Sequence, residues 1–242
     1  MPAYQLSDPV IATFILIPVM LATTLAWATF TAWRRSGATE SAARRAAVIV
    51  AVDSAAWMAL TWAAAMSGIL QRWDRTPPPF LLVIAGMVAI SLILAFGRVG
   101  ARIAQYIPLW TLVAIQGFRL PLELAMHALV ARGIMPIQMS YSGRNFDIVT
   151  GATAIVVATL AKKGLGGRRL VAAWNVLGLA LLVNVVSVAI ASMPLLRLFG
   201  DDRVVTFVTY PPFVWLPAVM VLAALAGHLV IFRALRRRAS AL

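Results

Sequence analysis

The sequence predicts an all-α, polytopic integral membrane protein. Residues 1–242 form one domain of seven transmembrane helices, with the N-terminus outside and the C-terminus inside. Three observations carry this expectation. The chain is 62% hydrophobic and only 12% charged, with mean hydropathy +0.90, whereas soluble domains are roughly half apolar and a quarter charged. Its apolar residues gather at 10–33, 46–70, 80–97, 107–131, 147–161, 170–194 and 211–233, most of them near the ~20 residues that cross a bilayer. Positive charge collects in alternate junctions, which sets a direction.

The first segment follows no basic residue and is too long for a signal-peptide core, so it reads as an uncleaved span. Pro18 within it predicts a bend. The junction after it holds Arg34, Arg35, Arg44 and Arg45. The second segment carries Asp53 and Ser54 one to two turns from its start, and the third ends at Arg98 and Arg102. The fifth is short, yet 15 residues still reach roughly 22 Å, enough where the bilayer thins locally. It ends in GLGGRR (164–169) beside Lys162 and Lys163. That glycine-rich turn lacks the preceding strand of a phosphate loop and suits anionic lipid headgroups at the inner face. The seventh segment contains Pro217 and runs into Arg233, Arg236, Arg237 and Arg238.

Fourteen of the 21 basic residues thus lie at one end. The other end holds Arg72, Arg75, Arg132, Arg144, Arg197 and Arg203, together with Asp8, Asp74, Asp147, Asp201 and Asp202. The odd-numbered segments all finish at the arginine-rich end, so that end is cytoplasmic. Trp73, Tyr210 and Trp215 near one boundary, and Trp33, Trp110 and Trp174 near the other, fit aromatic belts. Arginine over lysine and abundant alanine point to a GC-rich genome and a bacterial cytoplasmic membrane.

Several functions are excluded. The charge of +13 is split among short runs and forms no continuous nucleic-acid surface. There is no cysteine, hence no disulfide framework or thiolate site. The only histidines, His127 and His228, fall at opposite depths and cannot ligate one haem, so no metal is assigned and no cofactor is named. The only lysines lie in a loop, which excludes a retinal Schiff base inside the bundle.

Chemistry concentrates in the fourth segment. Gln116, Arg119, Glu123 and His127 are spaced by three, four and four residues, which stacks them on one helix face. Arg119 falls about 17 Å beyond Pro108 at ~1.5 Å per residue, near mid-bilayer. Pro121 frees the carbonyl of Gly117, and Gly117 is expected to admit close approach by a backbone or ligand. The following loop supplies Tyr141, Arg144, Asn145 and Asp147 as a lid; Asn145 or Asp147 would also cap the fifth helix.

Intramembrane ionisable residues are costly and usually functional. The expected function is therefore a transporter or ligand-responsive protein for a small anionic or zwitterionic solute, in a pocket open to the outside. Arg119 would hold the anion, while Asp53, Glu123 and His127 would relay protons. Three alternatives remain: an enzyme acting on a lipid or quinone through Glu123 and His127, an accessory subunit, and a structural clasp between Arg119 and Glu123. Asn175 and His228 would join Asp53 in a cytoplasm-facing polar cluster. The expected partners are the lipid bilayer, a small-molecule ligand and anionic headgroups; nucleic acid is not expected, and oligomerisation is left open.

Overall fold

Local signals set where the helices begin. Asp8 accepts the amide of Val10 at 2.8 Å and Pro9 follows at the first helical position, the usual start of a helix. Helix α1 then runs Pro9–Arg35 with Pro18 inside it. Thr39 accepts the amide of Ala42 at 3.3 Å and starts α2, Glu40–Met66. Gly68, at φ 77°, takes the chain out of α2 through a left-handed conformation open to glycine. Helix α3 spans Pro79–Phe96 and α4 Arg98–Tyr106. Then follow α5, Leu109–Ile115, and α6, Arg119–Ala131, joined by a 3₁₀ turn at Gln116–Phe118. Helices α7, Ile148–Lys162, and α8, Gly167–Ala191, precede a π-helical turn, Leu216–Val221, which continues into α9, Leu222–Ala239.

This computed structural model describes residues 8–239, and every regular element among them is helical. Five helices are long and apolar enough to cross a membrane: α1, α2, α3, α8 and the stretch Leu216–Arg237. The chain is a multi-pass membrane protein. Two of the seven expected segments are not among those five. The fourth is divided because Pro121 has no amide hydrogen to continue the helix, and the backbone tightens to 3₁₀ geometry just before it. The fifth is α7, apolar but shorter than the others. The junction at 98–106, expected as a connection, is the short helix α4, with Gly100, Ile103 and Ala104 buried.

Two apolar clusters build the interior. One joins Phe14, Leu21, Phe80, Leu122, Met126, Leu182 and Met220 toward the arginine-poor end. The other joins Ala32, Ile103, Val113, Ala158, Trp174 and Ile231 toward the arginine-rich end. At the arginine-rich end the guanidinium groups close helix C-termini. Arg233 donates to the carbonyls of Ala95 and Gly97 at 2.8 and 3.1 Å, and Arg35 to that of Tyr106 at 3.0 Å. The carbonyls of Ala95 and Tyr106 lie in the last turns of α3 and α4, at the negative end of the helix dipole, whereas that of Gly97 also accepts the amide of Ala101 as α4 begins. At the other end, Arg132 bonds Asp8 and holds its carboxyl below the ordinary value. A depressed carboxyl stabilises above its unfolded value near 4, and that contribution is lost as pH falls through the folded value. Hydrogen exchange at the first turn of α1 should accordingly quicken relative to the rest of the helix on acidification below about pH 4.

The π turn at Pro217 has a visible cause and a visible support. Proline cannot continue the α pattern. Trp57 of α2 donates its indole N–H to the carbonyl of Ala218 at 2.8 Å, and Trp215 donates to Met58 at 3.0 Å. Gly86 of α3 makes room, since a Cβ there would lie 2.8 Å from the Trp57 ring. Trp57→Phe leaves the Ala218 carbonyl unpaired, and an unsatisfied buried acceptor costs about 1–3 kcal/mol. The thermal midpoint in detergent should fall accordingly.

Candidate functional site

Between the two apolar clusters lies a layer of buried polar side chains from α6, α8, α9 and the connection that leads into α7. Arg119, at the first position of α6, is 1% exposed. Its Nη1 donates to Asp147 Oδ1 at 3.0 Å, to His228 Nε2 at 3.1 Å and, at 3.5 Å, to the carbonyl of Gly178. A guanidinium has donors only, so His228 Nε2 accepts. The ring proton then sits on Nδ1 and donates to Asn175 Oδ1 at 2.8 Å, while Asn175 Nδ2 donates to the His228 carbonyl at 3.1 Å. This fixes the neutral tautomer of His228.

On the other side of Arg119 the chain of bonds reaches Glu123. Asn145 Nδ2 donates to both carboxylate oxygens of Glu123, at 3.0 and 2.8 Å, and to the carbonyl of Met139 at 3.0 Å. Asn145 Oδ1 accepts the amide of Asp147 at 3.0 Å. Glu123, Asn145, Asp147, Arg119, His228 and Asn175 therefore form one continuous network. Arg119 and Glu123 are not paired with each other; Asp147 takes the guanidinium instead.

Two glycines let the backbones close on this layer. A Cβ on Gly151 would lie 2.3 Å from the amide nitrogen of Leu120, so α7 touches α6 backbone to backbone beside Arg119. A Cβ on Gly178 would lie 2.6 Å from the His228 ring. Gly117, expected to admit close approach, faces only the Ile155 side chain at an ordinary 3.6 Å.

A cavity of about 80 Å³ borders the network. Arg119, Glu123 and Asp147 contribute to its wall, which is otherwise apolar, with Phe80 and Met87 of α3, Leu122 of α6, Leu182 and Val186 of α8, and Met220 of the π turn. Arg119 Nε and Nη2 are buried and have no hydrogen-bond partner.

The remaining expected site residues are placed as follows. His127 is half-buried at the far end of α6; its ring stacks on Tyr141 with centroids 4.5 Å apart, and its Nδ1 lies 3.2 Å from both Ser140 and Ser142 Oγ. Arg144 is exposed, with its guanidinium 5.2 Å from the Phe199 ring. The loop thus turns Asn145 and Asp147 inward and Arg144 outward. Asp147 ends up in the ion pair and makes no side-chain cap for α7. Gln116 and Asp53 line a second cavity, on the other side of the π turn. No hydrogen bond among the described residues links Asp53, Glu123 and His127.

Sequence reasoning grouped Asn175 with His228 but set them apart from Arg119. The contact of His228 with Arg119 has no local sequence signal. No family model, curated protein or solved structure matches this chain, so its own geometry carries the functional reading.

Proposed function

We propose that the protein crosses a bacterial cytoplasmic membrane seven times, N-terminus out, and that the small cavity at Arg119 takes only the carbonyl or carboxylate end of a lipid-like molecule, whose apolar body stays outside it. The run from Leu109 to Ala131, at ~1.5 Å per residue, is long enough to complete a fourth span, and α7 supplies the fifth. The positive-inside asymmetry and the turn at Lys162 to Arg169, which suits anionic headgroups, support the orientation.

The observation that carries the ligand is the buried guanidinium of Arg119, with two unpartnered nitrogens beside an otherwise apolar cavity. Unsatisfied buried donors are costly, and an oxygen acceptor on an apolar body relieves both the donors and the wall. A small anionic or zwitterionic solute, the transporter reading, needs more polar groups than this wall offers. Acid–base chemistry at Glu123 and His127 is also less favoured, because Asn145 holds the first and the serine loop the second. Both α3 and α8 contribute apolar side chains to the cavity wall, and the proposed entry runs between them.

The test is native mass spectrometry of the protein in lipid nanodiscs, titrated with a long-chain fatty acid and a quinone. Arg119→Met should weaken the preferred ligand about 10- to 100-fold, as loss of a charged hydrogen bond does. Val186→Trp, which fills the cavity and leaves the network intact, should do the same. Retention by both variants would overturn the proposal, and stabilisation of the wild type by a small zwitterion alone would restore the transporter reading.

A further inference from the structure

We propose that the larger cavity, on the other side of the π turn, is a binding site for a hydrophobic cation, an ammonium or delocalised positive charge on an apolar body. It measures about 380 Å³, within the range of small-molecule pockets. Its walls come from α1, α2, α3, α4, α5 and α9, and most of the lining is apolar, with Leu21, Ile93, Leu112 and Leu222 among it.

Its polar side chains favour positive charge. Asp53 lies thirteen residues into the 27-residue α2, near the middle of the helix. It has no ion pair or hydrogen bond among the described residues, and no lysine, arginine or histidine lines the cavity. Ser54 donates its proton to the carbonyl of Val50 at 2.8 Å, which leaves its oxygen as an acceptor. Gln116 also lines the cavity; it is 1% exposed, and its Oε1 has no partner. The N–H of Trp57 is committed to Ala218, so the part of this side chain left to a ligand is its π system, the best aromatic surface for a cation.

The exposed Asp53 carboxylate, the Gln116 amide and the Trp57 indole thus line one largely apolar cavity that carries no cationic side chain. Hydrocarbon penalises a lone carboxylate, and a cation that brings its own apolar surface removes the penalty without water. An anion meets the Asp53 carboxylate as repulsion. The π turn separates this chamber from the Arg119 cavity: Met220 and Val221 face one, Val219 and Leu222 the other. Such local π geometry is frequent at functional sites. This inference does not depend on the ligand proposed for Arg119, because the two cavities call for opposite charge.

The experiment is equilibrium dialysis of the full chain in detergent with tetraphenylphosphonium. Tetraphenylborate and a neutral tetraphenyl compound serve as probes of equal shape. The cation should bind at least tenfold tighter than either. Asp53→Asn should remove that preference and Asp53→Glu keep it. Ala22→Trp, which obstructs the chamber and leaves every polar group in place, should abolish binding. Equal affinity for all three probes, unchanged cation binding in both Asp53→Asn and Ala22→Trp, or no cation binding by the wild type would each overturn the proposal.

Discussion

Asp147→Ala is expected to destabilise the folded protein by about 3–5 kcal/mol, the cost of stranding one member of a buried ion pair. The side chains of Arg119 and Asp147 are 1% and 7% exposed and meet at 3.0 Å. Without Asp147 the guanidinium keeps only His228 and the long contact to Gly178, and two of its three nitrogens are already unpartnered. Hydrogen bonds between helices in membranes often contribute only ~0.6 kcal/mol, but here an uncompensated charge would remain in the core. Asp147→Asn keeps the shape and should fall between wild type and alanine. The double variant Arg119→Met with Asp147→Leu removes both charges and should recover most of the loss. Chemical unfolding in mixed micelles measures all four proteins. A loss below about 1 kcal/mol for Asp147→Ala, the scale of an exposed pair, would mean that water reaches the pair.

Hydropathy located the apolar segments because bilayer thickness imposes a length that composition alone reveals. It placed the polar residues within them less well. Helix α2 begins at Glu40, six residues before its apolar segment, and α9 runs to Ala239, six residues past the seventh. Arg44, Arg45, Arg236 and Arg237 are therefore helical. Arginine near a membrane boundary can extend its head to water while its stem stays apolar, so hydropathy ends a helix before the backbone does. Asp53 and His228 consequently lie deeper than counting from the apolar edges predicts. That depth brings His228 level with Arg119.

The 3-4-4 spacing of Gln116, Arg119, Glu123 and His127 marked the polar face of the fourth segment, but spacing along one helix cannot say what faces it. The i,i+4 geometry offered Glu123 to Arg119. The fold gives Arg119 to Asp147 from the next loop, and Asn145 to Glu123. Such pairings depend on how a connection of sixteen residues between α6 and α7 returns to the bundle, which no local pattern encodes.

Gly151→Val is the second large effect expected, and it separates backbone contact from side-chain chemistry. Even the Cβ of alanine at this position would lie 2.3 Å from Leu120 N, 2.9 Å from Arg119 C and 2.9 Å from Leu120 Cα. None of these atoms can swing away as a side-chain terminus can, so α6 and α7 must part. Overpacking of a tight interior costs about 1–3 kcal/mol and sometimes more; valine should exceed alanine, since its two methyl groups follow the Cβ into the same gap. Close approach through small residues drives helix association in membranes, and here it also sets the distance from Asp147, at the head of α7, to Arg119 on α6. Gly117→Ala is the matched control: its Cβ meets only the Ile155 side chain at 3.6 Å, and replacing glycine at a compatible position stabilises by about 0.4–1 kcal/mol. The two alanine substitutions should therefore move the thermal midpoint in opposite directions. If both prove neutral, α6 and α7 are not in backbone contact, and the Arg119–Asp147 pair is not held by the packing of those two helices.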